Sequence, residues 1–211
     1  MADSRYTAGD VVPLAEEHTD ALVRVLSEAF YDYPVMRYVL GPEGDYDSRL
    51  LRLNHLFVMG RVHKGEPRYG IFEGGELLAA ATVSYLYGEA PDAFRQLQKE
   101  VWAELGAEAR SRYDDYAAVW NGFLPSIPHA HLNMIGTLDR ARGQGLGRLL
   151  MDRVHKLSVD TEGSEGVSLS TENPANVPLY EHVGYKVIAH RRVSEQLETW
   201  GMFRPDTIAE S

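Results

Sequence analysis

The chain has 211 residues, 44% of them hydrophobic, enough to bury one sizeable core. With 31 acidic against 21 basic residues its net charge is −10, which argues against a nucleic-acid partner and mildly favours a cationic or amine ligand. It contains no cysteine, which excludes disulfides, thiolate metal sites and a cysteine nucleophile. No apolar run reaches the roughly eighteen residues of a membrane span, and no apolar segment follows the N-terminus, so neither a membrane partner nor a secretory signal is expected; a cytoplasmic location fits.

Asp10 to Leu14 reads as a first strand. A helix follows, with Leu22, Val25, Leu26, Ala29 and Phe30 on one face. A second helical stretch covers about Tyr46 to Val62, striped by Leu50, Leu53, Phe57 and Val58. Tyr69 to Phe72 and Leu77 to Tyr87 form a hairpin around Gly74-Gly75. A helical insertion is expected from about Pro91 to Gly122, where Phe94, Leu97, Val101, Trp102 and Leu105 repeat at helical spacing and Tyr113, Tyr116 and Trp120 continue. A loop from Asn121 to Pro128 leads to a strand over His131 to Leu138. A helix with apolar residues at Leu146, Leu149, Leu150, Val154 and Leu157 comes next, then a short strand, Gly166 to Thr171. A brief helix starts near Asn176, a good N-cap, tolerates Pro178 in its first turn and stops at Gly184. Two strands, about Tyr185 to Val193 and Leu197 to Phe203, complete the described pattern.

The segment Arg142-Gly143-Gln144-Gly145-Leu146-Gly147-Arg148 runs from a strand straight into a helix. The first backbone N–H groups of a helix lack partners inside it, the helix dipole leaves partial positive charge there, and glycines let backbone approach an anion closely. The segment therefore reads as a pyrophosphate cradle, the alternative being an ordinary glycine-containing loop before a helix. It lacks the Lys and Ser or Thr of a P-loop, and Arg148 occupies the third glycine place of a dinucleotide fingerprint.

A different pattern fits better: Gln or Arg, two residues, Gly, one residue, Gly or Ala. Arg142, Gly145 and Gly147 satisfy it. Downstream, Asn173, Asn176, Tyr180 and the pair Gly184-Tyr185 occur at set distances. Together these motifs resemble the GNAT acetyltransferase superfamily. The resemblance implies an α/β fold of the α+β kind: a central mixed, mostly antiparallel sheet flanked by helices, here with the helical insertion (91–122) between strands three and four. The whole chain would be one domain.

What the resemblance implies is an acetyl-CoA-dependent N-acetyltransferase, without a metal, working by direct attack in a ternary complex. Ile135, Gly136 and Thr137 would offer backbone groups to the pantetheine arm, one N–H polarising the thioester carbonyl. Gly136 is the expected bulge, since a glycine inside a strand often marks one. Arg142, Gly143, Gln144, Gly145, Leu146, Gly147 and Arg148 would hold the pyrophosphate, with Arg148 equally readable as a solvated surface residue. Asn176 would cap its helix and touch the coenzyme. Tyr180 is the expected general acid, because a phenol with an ordinary pKa near 10 keeps its proton until a thiolate departs.

The acceptor site falls to Tyr33, His131 and Trp102. Tyr33 lies where the first two helices meet, and the insertion supplies aromatic lining. His129 and His131 alternate and share a strand face. His131 reads as a base or as an ordinary strand histidine; no third ligand accompanies the pair, so a metal site is not expected. Glu172 is either a cation anchor or, by preference, a solvated loop residue. The acceptor is expected to be a small-molecule amine, with antibiotic-like amines among the candidates, and the protein a monomer or homodimer. A protein or peptide amine, or a coenzyme-binding sensor without turnover, stays open as an alternative.

Overall fold

In the computed structural model, which describes residues 5–85 and 88–206, seven strands share one sheet. They are β1 (Val11–Pro13), β2 (Arg68–Glu73), β3 (Glu76–Ser84), β4 (Ala130–Thr137), β5 (Gly166–Thr171), β6 (Lys186–Ser194) and β7 (Leu197–Pro205). Across the sheet the order is β1-β2-β3-β4-β5-β7-β6. Only β4 and β5 run parallel; every other neighbouring pair is antiparallel. The mixed, mostly antiparallel sheet is therefore as the sequence implied. The last two residues of the expected third strand, Leu86 and Tyr87, lie outside the described residues.

Among the described residues seven α-helices flank the sheet: α1 (Thr19–Ala29), α2 (Pro34–Leu40), α3 (Tyr46–His63), α4 (Asp92–Leu105), α5 (Ala107–Asn121), α6 (Leu146–Asp160) and α7 (Val177–His182). α1 and α3 pack against β3 and each other, while α6 runs across β1 to β5. The apolar stripe of α1 explains its seat: Leu22, Val25 and Leu26 are nearly fully buried, at the spacing that puts residues on one helix face. Gly74 and Gly75, both with positive φ, form the tight β2–β3 turn whose twist matches that of its strands. The insertion consists of α4 and α5, between β3 and β4 as expected.

Short α2 is an addition to the sequence reading, which set only a junction at Tyr33 between its first two helices. Pro34 is the first residue of α2, where its missing N–H costs nothing, and Gly41, at φ 63, ends it. Tyr33 is the N-cap between α1 and α2.

The feature that shapes the site is a split in the sheet. β4 pairs with β5 only from Ala130 to Leu132, against Val167 to Leu169. Beyond that point β4 stays paired with β3 and β5 with β7, so the facing edges of β4 and β5 part like a V. A bulge marks the parting. Thr82 pairs with Met134 and Val83 with Leu132, which leaves Asn133 as the extra residue. The bulge is thus at Asn133 and not at the expected Gly136. Gly136 is small for another reason: a Cβ there would lie 2.5 Å from Ala29 Cβ, so its absence lets α1 pack directly on β4.

Candidate functional site

The V between β4 and β5 opens into a cavity of about 820 Å³. Its wall includes Ile135, Gly136 and Thr137 from the open edge of β4, and Arg142 and Gly147 from the loop and first turn of α6. It also includes Asn176 and Tyr180 from the α7 segment, Tyr33 from the α1–α2 junction, His131 from β4, and Trp102 from α4. Residues far apart in sequence thus converge on one space.

The loop before α6 is a tight glycine turn that leads straight into the helix. Gly143 and Gly145 adopt positive φ, 78° and 80°, and Gly145 is the N-cap. Beside Gly143 and Gly147 an added Cβ would meet nothing within 4 Å, so there is room next to the backbone. The amides of Leu146 and Gly147 precede the first intrahelical bonds, which begin with Arg148 and Leu149 donating to Gly145 O. An anion such as a pyrophosphate fits this donor set. Gly143, Gln144 and Gly145 are not part of the cavity wall but form the turn outside it; the Gln144 amide nitrogen reaches Arg140 O at 3.5 Å.

The structure places three larger side chains of this segment differently from one another. Leu146 turns its side chain into the core, so only its backbone can serve an anion. Arg148 lies along the helix and pairs with Asp152 at 2.9 Å, an i,i+4 surface pair, away from the cavity wall. Arg142 is on the wall and also pairs with Asp139 at 2.7 Å.

Asn176 does not cap α7: it has helical φ and ψ, and its amide donates to Thr171 Oγ1 at 3.2 Å. The cap is Asn173, whose Oδ1 accepts from Ala175 N at 3.1 Å and starts the 3₁₀ turn that leads into α7. The far end closes as expected: Gly184, at φ 96, lets Tyr185 N reach Tyr180 O.

Tyr180 lies edge-on to Tyr185, ring centroids 5.8 Å apart. Burial, helped by the charge of Glu172, pushes its phenol up to about 12, so it stays protonated at neutral pH. Among the described residues its hydroxyl has no hydrogen-bond partner.

Glu172, at the end of β5, is not the solvated residue the sequence favoured. It is 5% exposed and on the cavity wall. Its Oε1 accepts from Thr199 Oγ1 at 2.7 Å and from the Tyr116 hydroxyl at 3.0 Å. Its backbone N–H donates to the Tyr33 hydroxyl at 3.1 Å, which bonds Thr171 Oγ1 at 2.8 Å. Burial raises the carboxyl from 4.5 to about 7, opposed by these hydrogen bonds. A carboxylate tuned to neutrality in a cavity can exchange a proton with a ligand.

His131 is buried, its Nδ1 2.8 Å from Ser168 Oγ and its ring edge-on to Trp120. Desolvation, with His129 and Arg61 nearby, drives it down to about 3, so it is neutral and a weak base. Among the described residues no group of three or more His, Cys, Asp or Glu could hold a metal. Trp102 packs against Tyr113, centroids 4.9 Å apart, and Tyr113 against Phe57 at 5.8 Å. Sequence reasoning had Tyr116 among the aromatic lining and Glu172 as a solvated residue by preference, and it missed Arg61 as part of the same wall. Nothing local signals Glu172, because its donors come from α5 and β7.

The family model of the acetyltransferase (GNAT) domain matches residues 94–203, just over half of the chain. Solved structures share the fold at low identity. The histone acetyltransferase HPA2 and related acetyltransferase of Corynebacterium glutamicum superposes with TM-score 0.66 at 20% identity, over 95% of this chain and 98% of that one. An agmatine N-acetyltransferase gives TM-score 0.67 at 18%, over 93% and 99%. Arylalkylamine N-acetyltransferase 2 from Aedes aegypti gives 0.67 at 14%, over 93% and 98%. With the split sheet, the glycine loop and the family match together, the chain belongs to the GNAT acetyltransferases, enzymes that take their acetyl group from acetyl-CoA.

Proposed function

We propose that this acetyltransferase moves an acetyl group to the amine of a small molecule by direct attack, with Glu172 receiving the amine proton and Tyr180 as general acid. The observation that carries this reading is a single cavity into which the open edge of β4, the start of α6, Tyr180 and Glu172 all face. The coenzyme supplies a thioester-activated acetyl group. The backbone around Ile135 to Thr137 would hold its arm and polarise the carbonyl, and the Gly143–Gly147 turn with Arg142 would hold its pyrophosphate. Asn176 would line the same channel.

A primary amine is mostly protonated at pH 7 and must lose a proton before it attacks. Glu172, with its carboxyl raised to about 7, attracts the ammonium form when ionised and then takes its proton. Tyr180 gives its proton to the departing sulfur. His131, held near-permanently neutral, serves as wall and not as base.

Phe94, Trp102, Tyr113, Tyr116 and Trp120 of the insertion all line the cavity, so the acceptor enters a roofed chamber. That supports a small amine over a protein tail. Neighbours that act on agmatine, polyamines and arylalkylamines point the same way. Ala29-Phe30, Asp32-Tyr33-Pro34 with Arg37, and Thr199-Trp200 with Met202 are similar to puromycin N-acetyltransferase, which places antibiotic-like amines among the acceptors to try. One domain over residues 1–211 and a cytoplasmic protein, monomeric or dimeric, complete the reading; the single sheet supports the first.

The test is isothermal titration with acetyl-CoA, beside a thiol-release assay over a panel of small amines. Micromolar binding and release with at least one amine are expected. Binding without release from any amine would favour the coenzyme sensor, and no binding would end both readings.

A further inference from the structure

The cavity wall carries two donor groups that the acetyl-transfer reading leaves idle. Arg61, near the end of α3, has a side chain only 17% exposed and lies on the wall. Its Nε pairs with the buried Glu66 at 3.0 Å and its Nη1 donates to the bulge residue Asn133 at 3.2 Å. Glu66 is not on the wall, so the compensating charge is behind the guanidinium. A guanidinium has five N–H groups and no acceptor, so these contacts leave donors over. Trp102, also on the wall and 7% exposed, has an indole N–H with no partner among the described residues. Burying such a donor unpaired is costly, because it has given up water without gaining a partner, and a ligand acceptor would offset that loss.

Glu172 belongs to a different part of the wall, at the end of β5, and offers the opposite polarity. Tyr113 and Phe57 give the chamber an apolar aromatic surface next to Trp102. The chamber therefore presents groups of both polarities: an acceptor at Glu172, donors at Arg61 and Trp102, and an aromatic surface beside Trp102.

We infer that the acceptor substrate is an amine that carries a carbonyl-type oxygen, from an amide or an acid, beyond an aromatic or apolar middle, and that Arg61 and Trp102 read this oxygen. The inference rests on the proposed amine acetylation and narrows its substrate class. A second ammonium or guanidinium in the same place would face the Arg61 charge in a low-dielectric cavity, so diamines are selected against.

The test compares four phenethylamines bearing hydrogen, carboxamide, carboxylate or aminomethyl at the para position. The carboxamide or the carboxylate raises kcat/KM at least about tenfold over the unsubstituted amine, as one well-made hydrogen bond to a buried donor would. The aminomethyl compound falls below it. In Trp102→Phe and in Arg61→Met the advantage shrinks to within about threefold. Two variants are used because removing Arg61 strands Glu66 and can cost folding; Trp102→Phe keeps the ring. Equal rates across the series, a preference for the aminomethyl compound, or an advantage that survives in both variants would overturn the inference. Calorimetric titration of the same four amines, with and without coenzyme A, reads the ranking apart from turnover. No thiol release from any amine would thus count against the acetylation, and a flat binding ranking against the substrate class.

Discussion

The Tyr116 hydroxyl donates to Glu172 Oε1 at 3.0 Å, tying the middle of the α4–α5 insertion to the end of β5. The insertion therefore shapes the surroundings of this carboxyl and is not only a roof. It buries the carboxylate, which raises its pKa, and at the same time supplies a donor that keeps the ionised form accessible.

Glu172→Gln keeps the shape and an acceptor oxygen for Tyr116 and Thr199 but cannot take a proton. Turnover is expected to fall by roughly 10²–10⁴-fold with acetyl-CoA affinity little changed. Steady-state kinetics beside calorimetry checks this, and a loss under about threefold removes Glu172 from the mechanism.

The pH dependence follows from the same carboxyl. Wild-type kcat/KM rises with pH through about 7 as Glu172 ionises, and this limb is absent from the residual activity of Glu172→Gln. Stability moves oppositely. The folded pKa is raised from 4.5 to about 7, so the folded state binds more protons between those values. Stability from this group is present below pH 4.5 and lost as pH rises through 7, by on the order of 3 kcal/mol at most. The melting-temperature difference between wild type and Glu172→Gln, followed from pH 4.5 to 8, should shift in favour of the variant.

Tyr180→Phe removes the proton donor and little else, since the hydroxyl makes no hydrogen bond among the described residues. Turnover should drop roughly 10²–10⁴-fold while coenzyme binding persists. A kcat within threefold of wild type would rule out the general-acid role.

Gly145→Glu puts bulk and negative charge at the start of α6, where φ is 80°. Acetyl-CoA affinity should fall by about 100-fold or more in calorimetry. Gly145→Ala carries the left-handed strain without the charge, roughly 1–2 kcal/mol, and separates strain from repulsion by its smaller loss of affinity. Equal affinity of wild type and Gly145→Glu would mean that the loop holds no phosphate.

Gly136→Val tests the close packing of α1 on β4. Even the first added carbon lies 2.5 Å from Ala29 Cβ, so α1 must shift off β4. A destabilisation of about 1–3 kcal/mol is expected in denaturant unfolding. An unchanged midpoint would show that α1 yields freely.

The helices and strands were legible because each one's own residues announce it: the stripe of α1, the Gly74-Gly75 turn, the glycine run before α6. Short α2 escaped because seven residues give barely two turns of periodicity. Asn176 and Asn173 show the limit of cap reasoning: both are good caps by type, and only backbone conformation chooses between them.

By itself the sequence determined the order of helices and strands and the glycine turn at the start of α6, since both depend on local spacing and on backbone that glycine alone permits. The tertiary structure decided the bulge at Asn133, the burial of Glu172 and the facing of Arg61 and Trp102 into its cavity. Those depend on partners up to tens of residues away, and desolvation, which sets the charge of Glu172, exists only once α5, β5 and β7 have closed around it.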